Sequence, residues 1–252
     1  MSDYDYPFNE RIRTFLRLED LFVKVLFNIS SNHEFNHHNA LSAIFQILDV
    51  IDRAELKADL LQELDRQRNM MTGLFGNPNI AENLLEEILQ DIQKTSIELR
   101  SNTNKLGQSL RDNEWLMSIK QRSVIPGGLC EFDIPSYHHW LGLGDERRKE
   151  DLNHWLISLL PIYDAIKIIL HILRGSGKTT PLLATNGSYQ QMLGGAKPAQ
   201  MLRIELEKGV NYYPEVSANK YAISIRFISL SPSEKPRQIE ADVSFNLTLC
   251  NL

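Results

Sequence analysis

The residues best suited to chemistry fall into three groups. The first is Arg174-Gly175-Ser176-Gly177-Lys178-Thr179-Thr180, which invites comparison with a phosphate-binding loop. Such a loop requires GxxxxGK[ST], so that backbone N–H groups and a helix N-terminus converge on phosphate. Its first glycine belongs where this chain has Ile172. The segment also follows a helical pattern and runs into Pro181, so a strand–loop–helix order is missing. Gly175 reads better as a helix C-cap, with Arg174 favourable at the negative end of that helix. A nucleotide-binding protein or enzyme using Gly175 to Thr180 is therefore the alternative reading. The second group is the pairs His37-His38 and His138-His139. Adjacent side chains diverge by about 100° on a helix and point to opposite faces on a strand. Neither pair sits in HExxH or beside paired cysteines, so no metal or other cofactor is expected. There is no G-x-S-x-G elbow, and no catalytic residue is assigned. The third group is Arg11, Arg13, Arg17, Arg53, Arg66, Arg122 and Arg226. Guanidinium pairs carboxylates bidentately, so a cluster of these would recognise an acidic partner. Spacing alone favours scattered surface charge, each exposed ion pair being worth ~0–1 kcal/mol.

Composition narrows the classes. The chain has 252 residues, enough for one large domain or two small ones. Hydrophobic residues make up 42% and charged residues 23%, as in an ordinary globular protein. The net charge of −5 argues against a general nucleic-acid binder. No run reaches the ~18 apolar residues of a membrane span, so no membrane insertion is expected. The start, MSDYDYPFNERIR, lacks the basic and apolar regions of a signal peptide, which predicts a cytoplasmic protein. The two cysteines, Cys130 and Cys250, are expected to be reduced thiols packed as small hydrophobes.

These residues need a scaffold, and the patterning supplies two kinds. After Phe8-Asn9-Glu10, Ile12, Phe15, Leu16, Leu18, Phe22, Val23 and Leu26 recur at three- and four-residue steps. That spacing predicts a helix, with Arg11, Arg13 and Arg17 mostly off its apolar face. Residues 1–7 read as a short tail. Further helices are expected over 39–52, 57–74, 79–102, 106–119, 149–160 and 162–173. Pro161 marks a kink or a new start. The last helix is apolar nearly all round and should be deeply buried. From Arg174 onward the texture changes. Residues 175–197 are rich in Gly, Ser, Thr and Asn. Beyond them Leu202, Ile204 and Leu206, then Tyr221, Ile223, Ile225 and Phe227, then Val243, Phe245, Leu247 and Leu249 alternate with other residues. These are half-buried antiparallel strands, with 209–211 and 231–236 as hairpin loops.

One central stretch, QRSVIPGGLCEFDIPSYHHWL over 121–141, divides the helical blocks. Pro126-Gly127-Gly128 signals a turn. Cys130, Phe132 and Ile134 alternate with Glu131 and Asp133, which predicts a strand. A lone strand is unstable, so it is expected to join the later sheet. The fold class is thus α+β: a helical domain (1–120 and 149–176) plus a smaller antiparallel β domain (121–148 and 177–252), interleaved in sequence.

Three segments together resemble the ZapD family of Z-ring-associated cell-division proteins. They are FNERIRTFLR from Phe8, LLQELDRQ from Leu60, and QRSVIPGG from Gln121 with Phe132-Asp133-Ile134-Pro135. Their order and spacing match over nearly the whole chain, less closely after Arg174. The family form carries paired cysteines after the glycines, where this chain has Leu129-Cys130. The resemblance implies a non-enzymatic homodimer in the cytoplasm, at the midcell division site. It implies binding to the C-terminal tail of the tubulin-like GTPase FtsZ, and bundling of FtsZ filaments. Carried over by position, it implies partner contacts from Arg13, Arg17, Arg53, Arg122, His138 and Arg226.

Overall fold

The computed structural model describes every residue except 53–54, 78–80, 102–103, 195–198, 220, 232–234 and 252. The chain is mixed α+β and divides into two compact units. One is Phe15–Ile169; the other joins Met1–Thr14 to Leu170–Leu252.

Helices build the Phe15–Ile169 unit. Helix α1 (Glu10–Ile29) enters it at Phe15. The Asn9 side chain caps α1, accepting the Ile12 N–H at 2.9 Å. Ile12, Phe15, Leu18 and Phe22 are fully buried, as expected of the apolar face of α1, whereas Val23 and Leu26 are exposed at 51% and 39% and Val25 is buried instead. Helix α2 (Glu34–Asp52) buries Leu41, Ile44, Ile47, Leu48 and Ile51. It starts earlier than the expected 39–52, because only residues 30–33 form the turn. Helix α3 (Leu56–Thr72) packs against α4 (Glu82–Ser101). Gln67, spaced like a core residue, is indeed buried in α3 and donates to the Ile169 carbonyl at 3.1 Å.

The helix expected over 106–119 is two: α5 (Gln108–Arg111) and α6 (Glu114–Ser123). Asn113 makes the break. Its extended backbone and its side chain, accepting the Leu116 N–H at 3.0 Å, form a new N-cap. Gly107 precedes α5 at φ 70°, and a Cβ there would lie 2.6 Å from Leu48 Cδ2.

The central strand is a correction. Residues 124–134 form consecutive turns, and Pro135–Leu141 is a helix, α7. Cys130 N–H bonds Gly127 O, and Ile134 N–H bonds Cys130 O, so the local backbone satisfies itself. Phe132 is 79% exposed and no sheet covers it. Alternation over five residues was too short to specify a strand against this turn chemistry. Residues 121–148 accordingly carry no strand and fall in the Phe15–Ile169 unit. Cys130 is also exposed and does not pack as a small hydrophobe; Cys250 is buried as expected. Helix α8 (Asp145–Ile157) follows, and α9 (Leu160–Gly175) restarts beside Pro161 with a 67° bend. Ile162, Ile166, Ile169, Leu170 and Leu173 of α9 are all fully buried. No single described helix is long and apolar enough to cross a membrane.

The other unit carries two antiparallel sheets. The first has the order β1 (Ser2–Pro7), β4 (Met201–Leu206), β8 (Val243–Cys250), β2 (Thr179–Ala184). The second has the order β3 (Ser188–Met192), β6 (Ala222–Ser229), β5 (Tyr212–Ala218), with β7 (Arg237–Gln238) also on β6. Their inward residues share one core: Leu202, Ile204 and Leu206 with Ile223, Ile225, Phe227, Val243, Phe245 and Leu247.

Strands β4, β6 and β8 are the ones whose alternation was legible. The expected tail at residues 1–7 is instead β1, paired Tyr4 to Ile204 and Tyr6 to Leu202. The alternating Asp-Tyr-Asp-Tyr was its signal. Asp5 anchors it, taking Arg203 Nε at 2.7 Å and Arg174 Nε at 3.0 Å. Strands β2 and β5 contain Pro181 and Pro214, which demote a strand in any sequence reading; as sheet edges they tolerate proline.

Candidate functional site

Helix α1 presents the first basic candidates one turn apart. Arg13 lies in the Met1–Thr14 segment, and its Nε pairs with Glu10 Oε2 at 3.1 Å. Arg17 is exposed and lies in the helical unit. It lines a groove of about 350 Å³ with Asp20, Leu21, Lys24, Gln46, Asp49 and Val50, between α1 and α2. Lys24 Nζ pairs with Asp20 at 2.5 Å, and Lys120 Nζ of α6 reaches Asp49 at 2.6 Å. The groove thus mixes both signs of charge with apolar Leu21 and Val50. Lys24 and Lys120 were not among the sequence candidates. The four-residue spacing of Asp20 and Lys24 is a signal that could have found the first; Lys120 needed the fold.

Arg122 stands two residues beyond Lys120, near the end of α6. Its Nη1 pairs with Asp133 Oδ1 at 3.0 Å, which ties the 124–134 turns back to α6. His138 is an exposed residue of α7. Beside it Tyr137 is buried, its hydroxyl 2.7 Å from His38 Nδ1. Burial lowers the His38 pKa and raises that of Tyr137. Trp115, Trp140 and Trp155 form an aromatic cluster with Tyr137, with ring centroids 5.8 to 6.1 Å apart. This cluster pins α6, α7 and α8 together and fixes the position of His138 on the surface.

Arg226 belongs to the other unit, on β6. Its Nη2 pairs with Glu215 Oε2 of β5 at 3.3 Å, across a directly paired register position. Arg53 lies outside the described residues. The candidates therefore divide: Arg17, Arg122 and His138 in one unit, Arg13 and Arg226 in the other. Arg13, Arg122 and Arg226 each already hold a carboxylate, so an incoming acidic group has to exchange with Glu10, Asp133 or Glu215.

The other chemistries fare as follows. Gly175 ends α9, and Thr179 opens β2, so Gly175 to Thr180 runs from helix to strand. A Cβ at Gly177 would collide with the Leu249 carbonyl, so this backbone lies directly on β8. His37 and His38 take separate partners, the Ser31 carbonyl and Tyr137. Among the described residues, no three His, Cys, Asp or Glu side chains gather into a metal-holding group.

Comparison with known proteins bears on the whole chain. A family model described as "ZapD: Cell division protein" matches residues 16–226. A protein of Janthinobacterium sp. (strain Marseille) named "Cell division protein ZapD" is 49% identical over 251 residues, covering 100% of both chains. Proteins with the same name from Chromobacterium violaceum and Dechloromonas aromatica are 48% and 49% identical. They cover 99% and 100% of both chains respectively.

Proposed function

This chain belongs to the ZapD family of cell division proteins, and from that premise we propose that it is a non-enzymatic cross-linker of FtsZ filaments. It acts as a homodimer in the cytoplasm, at the midcell division site. Each protomer offers one site for the C-terminal tail of FtsZ, and two sites joined by two-fold symmetry link two filaments. Arg13, Arg17, Arg53, Arg122, His138 and Arg226 supply the tail contacts. The observation that carries this reading is the full-length likeness to relatives named for cell division. Exposure of Arg17 and His138, and the partly exposed side chains of Arg13, Arg122 and Arg226, support it.

Polymerised FtsZ presents its tails at high local density, so modest affinity per site suffices for bundling. Exposed carboxylate partners suit that need. Exchanging Glu10, Asp133 or Glu215 for a tail carboxylate gains little per contact and keeps binding reversible. Sedimentation with FtsZ filaments tests the proposal. The wild-type chain is expected to pellet with filaments and to increase their bundling under the electron microscope. Filaments of FtsZ lacking the tail are expected to leave it in the supernatant; equal pelleting with both would refute the tail site.

A further inference from the structure

Arg148 of α8 is 5% exposed, yet among the described residues it has no carboxylate partner. Its guanidinium is held by neutral acceptors. Nη1 donates to the carbonyls of Leu141, at 2.8 Å, and Leu143. Nη2 donates to the Asn32 carbonyl at 3.2 Å. Nε donates to Nδ1 of the fully buried His37 at 2.8 Å. An arginine is always charged and only donates, so this nitrogen of His37 must carry a lone pair. The proton of the neutral imidazole then sits on Nε2, which donates to the Ser31 carbonyl at 2.7 Å. One histidine in one tautomer thereby bridges the α1–α2 turn to the α7–α8 connection.

We propose that His37 and Arg148 form an acid-released latch between these two segments of the helical unit. Adding a proton at Nδ1 consumes the lone pair that accepts Arg148 Nε–H. It leaves two donors and two positive charges face to face in a buried site, and the bridge opens. The surroundings oppose protonation in the closed form. Arg148 and Lys149 are the α8 charges acting on His37, and both disfavour a second cation. Asp145 and Glu146 are engaged by Lys149, whose Nζ also reaches Asn32 Oδ1 at 2.7 Å. His33 stands just before its own helix and Glu34 in the first turn, and His38 beside it turns to Tyr137. The Ile29 carbonyl of α1 and the Ser31 carbonyl favour the protonated ring but are outweighed by burial, and the Leu141 carbonyl of α7 engages Arg148. Burial is the largest cause holding His37 below its usual value of 6.5. A depressed folded-state value means the latch is fully closed above the ordinary histidine range and is lost as pH falls through the lowered value.

Hydrogen exchange of the full chain between about pH 7.5 and pH 5.5, corrected for intrinsic rates, tests the latch. Protection over 30–37 and 141–148 is expected to fall by up to about tenfold per pH unit within that window. His37→Asn keeps an oxygen for Arg148 Nε but cannot titrate there, so its protection stays level with pH. His38→Gln controls for the neighbouring histidine and retains the wild-type fall. Wild-type protection unchanged at the acid end, or an undiminished fall in His37→Asn, would overturn the proposal. Should His37→Asn fail to fold, the imidazole nitrogen shifts of the wild-type chain decide. A persistent Nε2–H tautomer titrating below the ordinary range supports the latch. An Nδ1–H tautomer, or titration at the ordinary value, refutes it.

Discussion

Cys130 and Cys250 show how far one residue type can diverge with its surroundings. Cys130 sits exposed among turns, whereas burial pushes the Cys250 thiol up to about 11. The thiolate is the reactive form, so a maleimide or disulfide reagent at neutral pH is expected to modify one thiol rapidly. The second should react only on unfolding. Two thiols reacting at equal rates in the folded protein would contradict this environment. Asp5 is a second case. Its half-hidden carboxylate holds both Arg174 and Arg203, and the pairing raises the Arg203 pKa further. Asp5→Asn leaves two guanidinium groups around a neutral amide, and a loss of roughly 2–3 kcal/mol in denaturant unfolding is expected. Arg13 and Arg226 behave differently because their side chains are partly open to solvent. Arg13→Ala or Arg226→Glu is expected to leave unfolding within about 0.5 kcal/mol of wild type. The same changes should weaken pelleting with FtsZ filaments, Arg226→Glu by about tenfold per site because it also repels an acidic tail. Normal pelleting of both variants would count against the proposed patch.

At the scale of elements, caps and turns decide what apolar spacing leaves open. Residues 106–119 have one continuous helical pattern, but Asn113 divides them. Asn113→Ala removes the acceptor of the Leu116 N–H and is expected to cost about 1 kcal/mol, measured by thermal unfolding. Gly107 lies just before this pair of helices with a left-handed φ of 70° and with Leu48 against its α-carbon. A Gly107→Ala variant should lose roughly 1–3 kcal/mol through strain and overpacking together. A neutral result would mean that Leu48 moves aside freely. The 124–134 turns make the same point in reverse. Their Cys-Phe-Ile alternation imitates a strand, yet Phe132 points to solvent and the backbone bonds close locally. Edge strands β2 and β5 were hidden for the opposite reason, since their prolines break the pattern that a sheet edge permits.

For the whole molecule, the proposed bivalent site makes salt the informative variable. Arg13, Arg122 and Arg226 are paired at the surface, so screening acts on both the resident and the incoming carboxylate. Pelleting with FtsZ filaments is expected to fall steeply between about 0.05 M and about 0.3 M salt, while the mass measured by light scattering stays that of a dimer. Salt-independent pelleting would point to an apolar contact, and parallel loss of the dimer would place the salt effect at the wrong interface.

The amino-acid sequence by itself determined the mixed α+β class, the apolar faces of α2, α3 and α9 with most of that of α1, and strands β4, β6 and β8; in α4, Leu84 and Ile97 are spaced like core residues but face solvent. It also carried the family resemblance that the full-length comparison bears out. Those features rest on local periodicity, which is written in neighbouring residues. Only the tertiary structure decided that residues 1–7 are a strand, that the central stretch belongs to the helical unit, and that Arg148 finds His37. The strand and the buried charge depend on partners far away in the chain: Tyr4 on Ile204, Asp5 on Arg203, Arg148 on His37. A strand at a sheet edge, or a buried charge, has no stability until its partner arrives, so a local pattern such as the Asp-Tyr alternation of residues 3–6 does not settle it alone.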